Sequence, residues 1–263
     1  MINSRQALLT QARYDAFFIN HQHSIEFFKT HTFQADSPEQ EKSVRARYFQ
    51  KGVLKEILIR YTAGDEMTLL IPLLEDLVEH YEALQKALAV YEGIPNITPL
   101  TIDDWPDQYE ECVQVISLCI FFQRPDLLAR FVALVDEAGY AGDDTLYEDL
   151  LAEVLPDRYD VDRWYHDVCT PLVLAIYADD KDEASRLLQE YCDNWYDAFE
   201  QAPWHDTHLG GDEGSYVGYW ALEAGAIAFL YGIDDSKIDS RVYPKDLVEY
   251  ARQHSNPASA GAR

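Results

Sequence analysis

Within the apolar run of residues 217–231, VGYWALEAGAIAFLY, one ionisable side chain stands alone: Glu223. A carboxylate among apolar neighbours is costly unless it is neutral, hydrogen-bonded or paired with a cation. Helical spacing places Tyr216, Tyr219 and Trp220 on or near its face, where phenol and indole groups supply donors. Lys245 or an arginine can supply charge. Acid–base work on a glycoside needs a second carboxylate at a set distance, and no partner motif for one is present. Glu223 therefore reads as a structural hub with Tyr219, Trp220 and Lys245. The most metal-like cluster is His205, Asp206, His208 and Asp212 in WHDTHLGGDEG, where His-x-x-His suits a divalent ion. The motif is short and no cysteine is near, so a polar loop is the plainer reading. His21 and His23 sit two apart on a helix and face different ways. Asp234 and Asp235, just past Gly232, suit a turn or cap better than calcium. No G-x-S-x-G surrounds Ser215, and G-x-G-x-x-G and Walker sequences are missing from the chain. No catalytic residue, metal or cofactor is expected.

Charge carries the strongest compositional signal. The 263 residues include 21 basic and 47 acidic side chains, a formal net of −26. Residues 1–100 hold 10 basic and 13 acidic groups, net −3, whereas residues 101–263 hold 11 and 34, net −23. Such a surface repels nucleic acid and anionic membranes and attracts basic proteins. Acids at helix starts are favoured by the dipole, yet local capping does not account for so lopsided a balance. Asp143, Asp144, Asp179, Asp180, Asp182, Asp206, Asp212 and Glu213 lie in acidic turns and are the candidate contacts with a basic partner. The four cysteines, Cys112, Cys119, Cys169 and Cys192, form no C-x-x-C and read as reduced thiols of a cytoplasmic protein. The N-terminal MINSRQALLTQARYD has no apolar signal core, and no apolar run approaches the roughly 20 residues that span a bilayer.

The elements that would position these groups are all helical. Apolar residues recur at three- and four-residue steps from Arg5 to about His31. Ser37, Pro38 and Gln40 open a second helix that Gly64 closes, and a third runs from Asp65 or Thr68 to about Tyr91. Residues 92–104 read as a linker. Beyond it come shorter helices: 107–122, then 125–139 closed by Gly139, then 144–155 ahead of Pro156. A pair follows over 165–178 and 181–200, then the apolar helix around Glu223, and a last helix from about Pro244 to Gln253. The expectation is an all-α protein: a long-helix N-terminal bundle (1–95) packed on a C-terminal acidic array of shorter helical hairpins (105–253), with a flexible tail (254–263). The long N-terminal helices are suited to forming a homodimer.

At this point the sequence resembles a known family. RARYFQKGVLKEILIRYTAGDEMTLL (45–70) is similar to the N-terminal module of the PoNi immunity proteins, and residues 195–252 are similar to their C-terminal module. The most specific part is G-Y-W-x-x-E-A-x-A, here Gly218, Tyr219, Trp220, Glu223, Ala224 and Ala226. I-D-D-S (233–236) and Y-P-K-D-L-V (243–248) reinforce it. Leu222 and Gly225 depart from the aromatic and alanine expected there, which implies mild packing changes. The resemblance implies a non-enzymatic antitoxin that neutralises a DNase effector with a basic surface, delivered by type VI secretion or a related contact-dependent system. It also implies that Glu223 ties its helix to the Tyr243-Pro244-Lys245 segment. The alternatives are a helical adaptor for another basic protein and a metal-dependent hydrolase centred on His205 and His208.

Overall fold

A computed structural model describes residues 1–212 and 214–255; Glu213 and most of the expected tail, residues 256–263, lie outside the described residues. The described residues contain ten α-helices, several short 3₁₀ turns and no strand. Long helices precede shorter ones, as the sequence predicts. The chain divides into two compact units: residues 1–99, 133–138 and 203–218 form one, and residues 100–132, 139–202 and 219–263 the other.

In the first unit lie α1 (Gln11–Thr30), α2 (Pro38–Ala63) and α3 (Ile71–Glu92). Ser37 Oγ accepts from Gln40 N at 3.1 Å, and Gln40 Oε1 reaches back to the Asp36 N–H at 2.6 Å, a capping box displaced by one residue. Gly64 closes α2 with φ 94°. A Cβ there would lie 2.1 Å from the Asn3 carbonyl oxygen, so the site demands glycine on two counts. That close approach explains why α1 starts later than the periodicity suggests. Residues 3–5 are bound to the end of α2: Asn3 N–H donates to Ala63 O at 2.9 Å and Arg5 N–H to Thr62 O at 2.8 Å. The helix then begins after Thr10, whose Oγ1 accepts from Arg13 N. Helix α3 packs on α2, and Leu70, Leu74, Leu77, Val78 and Tyr81 of the α3 region are fully buried.

In the second unit lie α4 (Pro106–Phe121), α6 (Thr145–Ala152), α7 (Thr170–Ile176), α8 (Lys181–Ala198), α9 (Leu222–Tyr231) and α10 (Lys245–His254); α5 (Pro125–Val135) crosses the boundary. Helix α9 is the axis, touching α4, α6, α7, α8 and α10. An α-helix apolar on every side is stable in water only when surrounded. Seven of its ten residues, Leu222 to Ala228, are buried. It is shorter than the apolar run implies: residues 215–221 are not helical. Gly218 has φ 118°, and the Ala221 N–H donates to Val242 O at 2.9 Å instead of entering a helix. The helical-face placement of Tyr216, Tyr219 and Trp220 beside Glu223 therefore does not hold. Gly225 packs so closely that a Cβ would meet Pro244 Cγ at 2.7 Å and Val248 Cγ2 at 2.8 Å. The departure at this position is thus a tight helix–helix contact and more than a mild change. No helix among the described residues is long and apolar enough to cross a membrane.

Candidate partner-binding surface

Glu223 has no exposed surface. Tyr191 of α8 donates its hydroxyl to Oε1 at 2.7 Å. Burial pushes the carboxyl up to about 7, while Tyr191, the helix-start N–H and Trp195 pull it down. Around it lie the buried thiols of Cys169 and Cys192, both pushed up by burial; this carboxylate adds next for Cys192, and Asp144 adds ahead of it for Cys169. Such thiols are inert packing groups. The group that meets Glu223 is a tyrosine 32 residues upstream on α8. Lys245 stands exposed at the start of α10, and Tyr243 donates to Asp235 at 2.6 Å. Asp235 also accepts from Arg252 at 2.8 Å, so the I-D-D-S and Y-P-K-D segments hold each other. Tyr219 leans on the Tyr196 ring at 4.9 Å, and the Trp220 carbonyl accepts from Gln114 at 3.3 Å.

Two further buried carboxylates build a surface. Asp144 caps α6, accepting from Tyr147 N at 2.8 Å, and also takes Tyr109 Oη at 2.5 Å and Tyr165 N at 2.8 Å. It is 1% exposed, so the expected contact with a partner does not fit this residue. Burial raises its pKa and the three donors oppose that rise. One turn on, Glu148 Oε1 accepts from Gly142 N at 2.7 Å and Oε2 from Tyr159 N at 3.2 Å. Arg158 grips the same carboxylate with two nitrogens, each at 2.8 Å. This forked pair is almost fully buried. Thr145 adds its N–H to Arg163 O at 2.7 Å. Residues 156–166 have no regular structure, yet α6 holds them along most of their length.

The outer side of this strap is acidic and aromatic. Asp157, Asp160 and Asp162 are exposed, and Tyr159 is 57% exposed. Tyr177, which caps the end of α7 and is also 57% exposed, donates to the Asp149 carboxylate at 3.0 Å. Burial, opposed by Tyr177 and assisted by Asp160, pushes Asp149 up to about 6. Leu174 lies one turn before Tyr177 and is exposed with it. Composition pointed to acids in this region, but the tyrosines and the pinned strap have no sequence signature.

The other candidates are scattered. Asp143 is half exposed and pairs with Arg163. Asp179, Asp180 and Asp182 are exposed at the start of α8, where Asp180 caps the helix by accepting from Asp182 N at 2.7 Å. Asp206 and Asp212 belong to the first unit. Asp206 is exposed with φ 57°, and Asp212 faces Arg13 at 3.9 Å. His205 Nδ1 lies 3.7 Å from Asp206, while the His208 carbonyl accepts from Arg13 at 2.6 Å. No group of three His, Cys, Asp or Glu side chains among the described residues could hold a metal ion.

Comparison with known proteins adds a family resemblance. Residues 142–247 match the family model for PoNe immunity proteins (PoNi), C-terminal. That stretch is similar to a PoNi C-terminal module. The matched stretch starts at the Gly142 that Glu148 binds and ends within α10, so it takes in the strap, α9 and Glu223. The crystal structure of protein PA2201 from Pseudomonas aeruginosa shares the fold, with TM-score 0.67 and 19% identity over 97% of this chain and 93% of that one. No curated protein matches.

Proposed function

We propose that this protein is an immunity protein that binds and neutralises a cognate PoNe-type nuclease toxin in the cytoplasm of the bacterium that makes it. The match over residues 142–247 carries the reading. The net charge of −26 and the acidic, tyrosine-bearing strap inside the matched region support it. A DNase must present cations to phosphates, and an acidic protein surface competes for the same cations. Aromatic side chains among charges supply the desolvated anchors on which protein interfaces depend. The protein acts by occupying the toxin's active site or its DNA-binding surface and performs no chemistry. Contacts come from Asp149, Asp157, Asp160 and Asp162 with Tyr159 and Tyr177. Asp143, Asp179, Asp180, Asp182, Asp206 and Asp212 extend the negative field. DNA degradation by the nuclease encoded beside this gene, with and without equimolar purified protein, tests the proposal. Complete stoichiometric protection is expected. Absence of both protection and a complex would overturn the pairing and return the adaptor reading.

A further inference from the structure

Against the acidic charge of the chain, one groove is basic. It opens between α1 and α2 as a shallow groove of about 510 Å³, with Gly214 and Ser215 also in its lining. Arg47, Lys51 and Lys55 line it. Their four-residue spacing lays three cations along one face of α2, over about 12 Å. The walls are aromatic. Phe17 stacks on His21 with centroids 5.3 Å apart, and Phe28 stacks on Tyr48 at 3.8 Å. The His21 ring lies over the buried Gly52: a Cβ at residue 52 would come within 2.8 Å of His21 Cε1. A glycine inside a helix costs about 1 kcal/mol relative to alanine, and here it admits the imidazole. Burial lowers the His21 pKa, Glu56 opposes and Lys55 assists, which leaves a neutral flat ring at pH 7. No residue of α1 is fully buried: Phe17 and Phe28 are partly exposed, and His21 keeps 12% of its side-chain surface open.

We propose that this groove binds a nucleoside phosphate, with the base against the aromatic walls and the phosphates along Arg47, Lys51 and Lys55. The volume is that of a small-ligand site. Stacking accepts any base, and ammonium and guanidinium groups bind phosphate oxygens. An acidic peptide fits less well, because an all-helical wall offers no strand edge to pair with its backbone. A nucleic-acid polymer is opposed by the net charge.

Calorimetric titration of the full chain tests this, using the four ribonucleoside triphosphates in magnesium-free buffer beside inorganic triphosphate, the four nucleosides and a ten-residue oligothymidylate. At least one nucleotide is expected to bind saturably, at least tenfold more tightly than inorganic triphosphate or its own nucleoside. Arg47→Ala and Lys51→Ala should each weaken it about tenfold, the loss of one charged hydrogen bond, with unchanged melting temperature. Absence of saturable nucleotide binding overturns the proposal, as does equal affinity for inorganic triphosphate. Tighter binding of the oligonucleotide overturns the small-ligand assignment, and indifference to both substitutions overturns the site.

Discussion

At the scale of single residues, Glu223 joins two requirements that sequence alone could not pair. Its burial followed from the apolar run around it, but its partner did not, because Tyr191 sits on another helix with no motif linking them. The consequence is a pH dependence of defined sign. The folded-state pKa is raised from 4.5 to about 7, so the native state holds a proton that the unfolded chain has released. Stability is fully present below pH 4.5 and falls as pH rises toward 7, by about 3 kcal/mol for a shift of this size. Glu223→Gln has nothing to ionise and its amide oxygen can still accept from Tyr191. Urea unfolding of this variant between pH 5 and 8 should lack the decline, and toxin neutralisation should persist. Glu223→Ala should lower the melting temperature at every pH, since it opens a cavity and strands the Tyr191 hydroxyl, at a cost of about 2–4 kcal/mol. An alanine variant with normal stability and no neutralisation would replace the structural role with a direct one.

Elements show the reverse balance. Helix positions were readable because caps and stops are local: Ser37, Gly64 and Gly139 all act within one turn of themselves. The start of α9 and the lateness of α1 were not readable, since Val242 and the end of α2 decide them from a distance. Gly225 belongs to the same class. Pro244 and Val248 fill the place a Cβ would take, so Gly225→Ala should push them away from α9 and cost about 1–3 kcal/mol. Chemical denaturation would check this, and an unchanged midpoint would mean that α10 yields freely. The strap over α6 makes a stronger claim. Arg158→Ala leaves Glu148 buried without its cation, a loss of about 3–5 kcal/mol. Limited proteolysis should then cut first within residues 156–166, which the native pair protects. Cleavage starting elsewhere would mean that the strap does not depend on this ion pair.

For the whole molecule, net charge announced an acidic partner-seeking surface but could not say where its acids are useful. Asp144 and Glu148 are counted in that charge, yet both are internal and hold the strap; Asp157, Asp160 and Asp162 are the exposed ones it presents. A binding surface of this kind has two separable parts. The dispersed negative field governs encounter and is screened by salt, with a Debye length of about 10 Å at 0.1 M and about 3 Å at 1 M. The tyrosines at the surface govern residence and are little affected by salt. Raising salt from about 0.1 M to about 1 M should therefore slow association with the toxin on the order of tenfold or more, while dissociation changes far less. Asp157→Lys with Asp160→Lys should reproduce the slower association at low salt, and Tyr177→Ala should accelerate dissociation instead. Surface plasmon resonance with immobilised, catalytically inactivated toxin separates the two rates. Equal rates for the charge-reversed and native proteins at low salt would remove the strap from the interface and leave the toxin to be met by the acids of α8 or of the first unit.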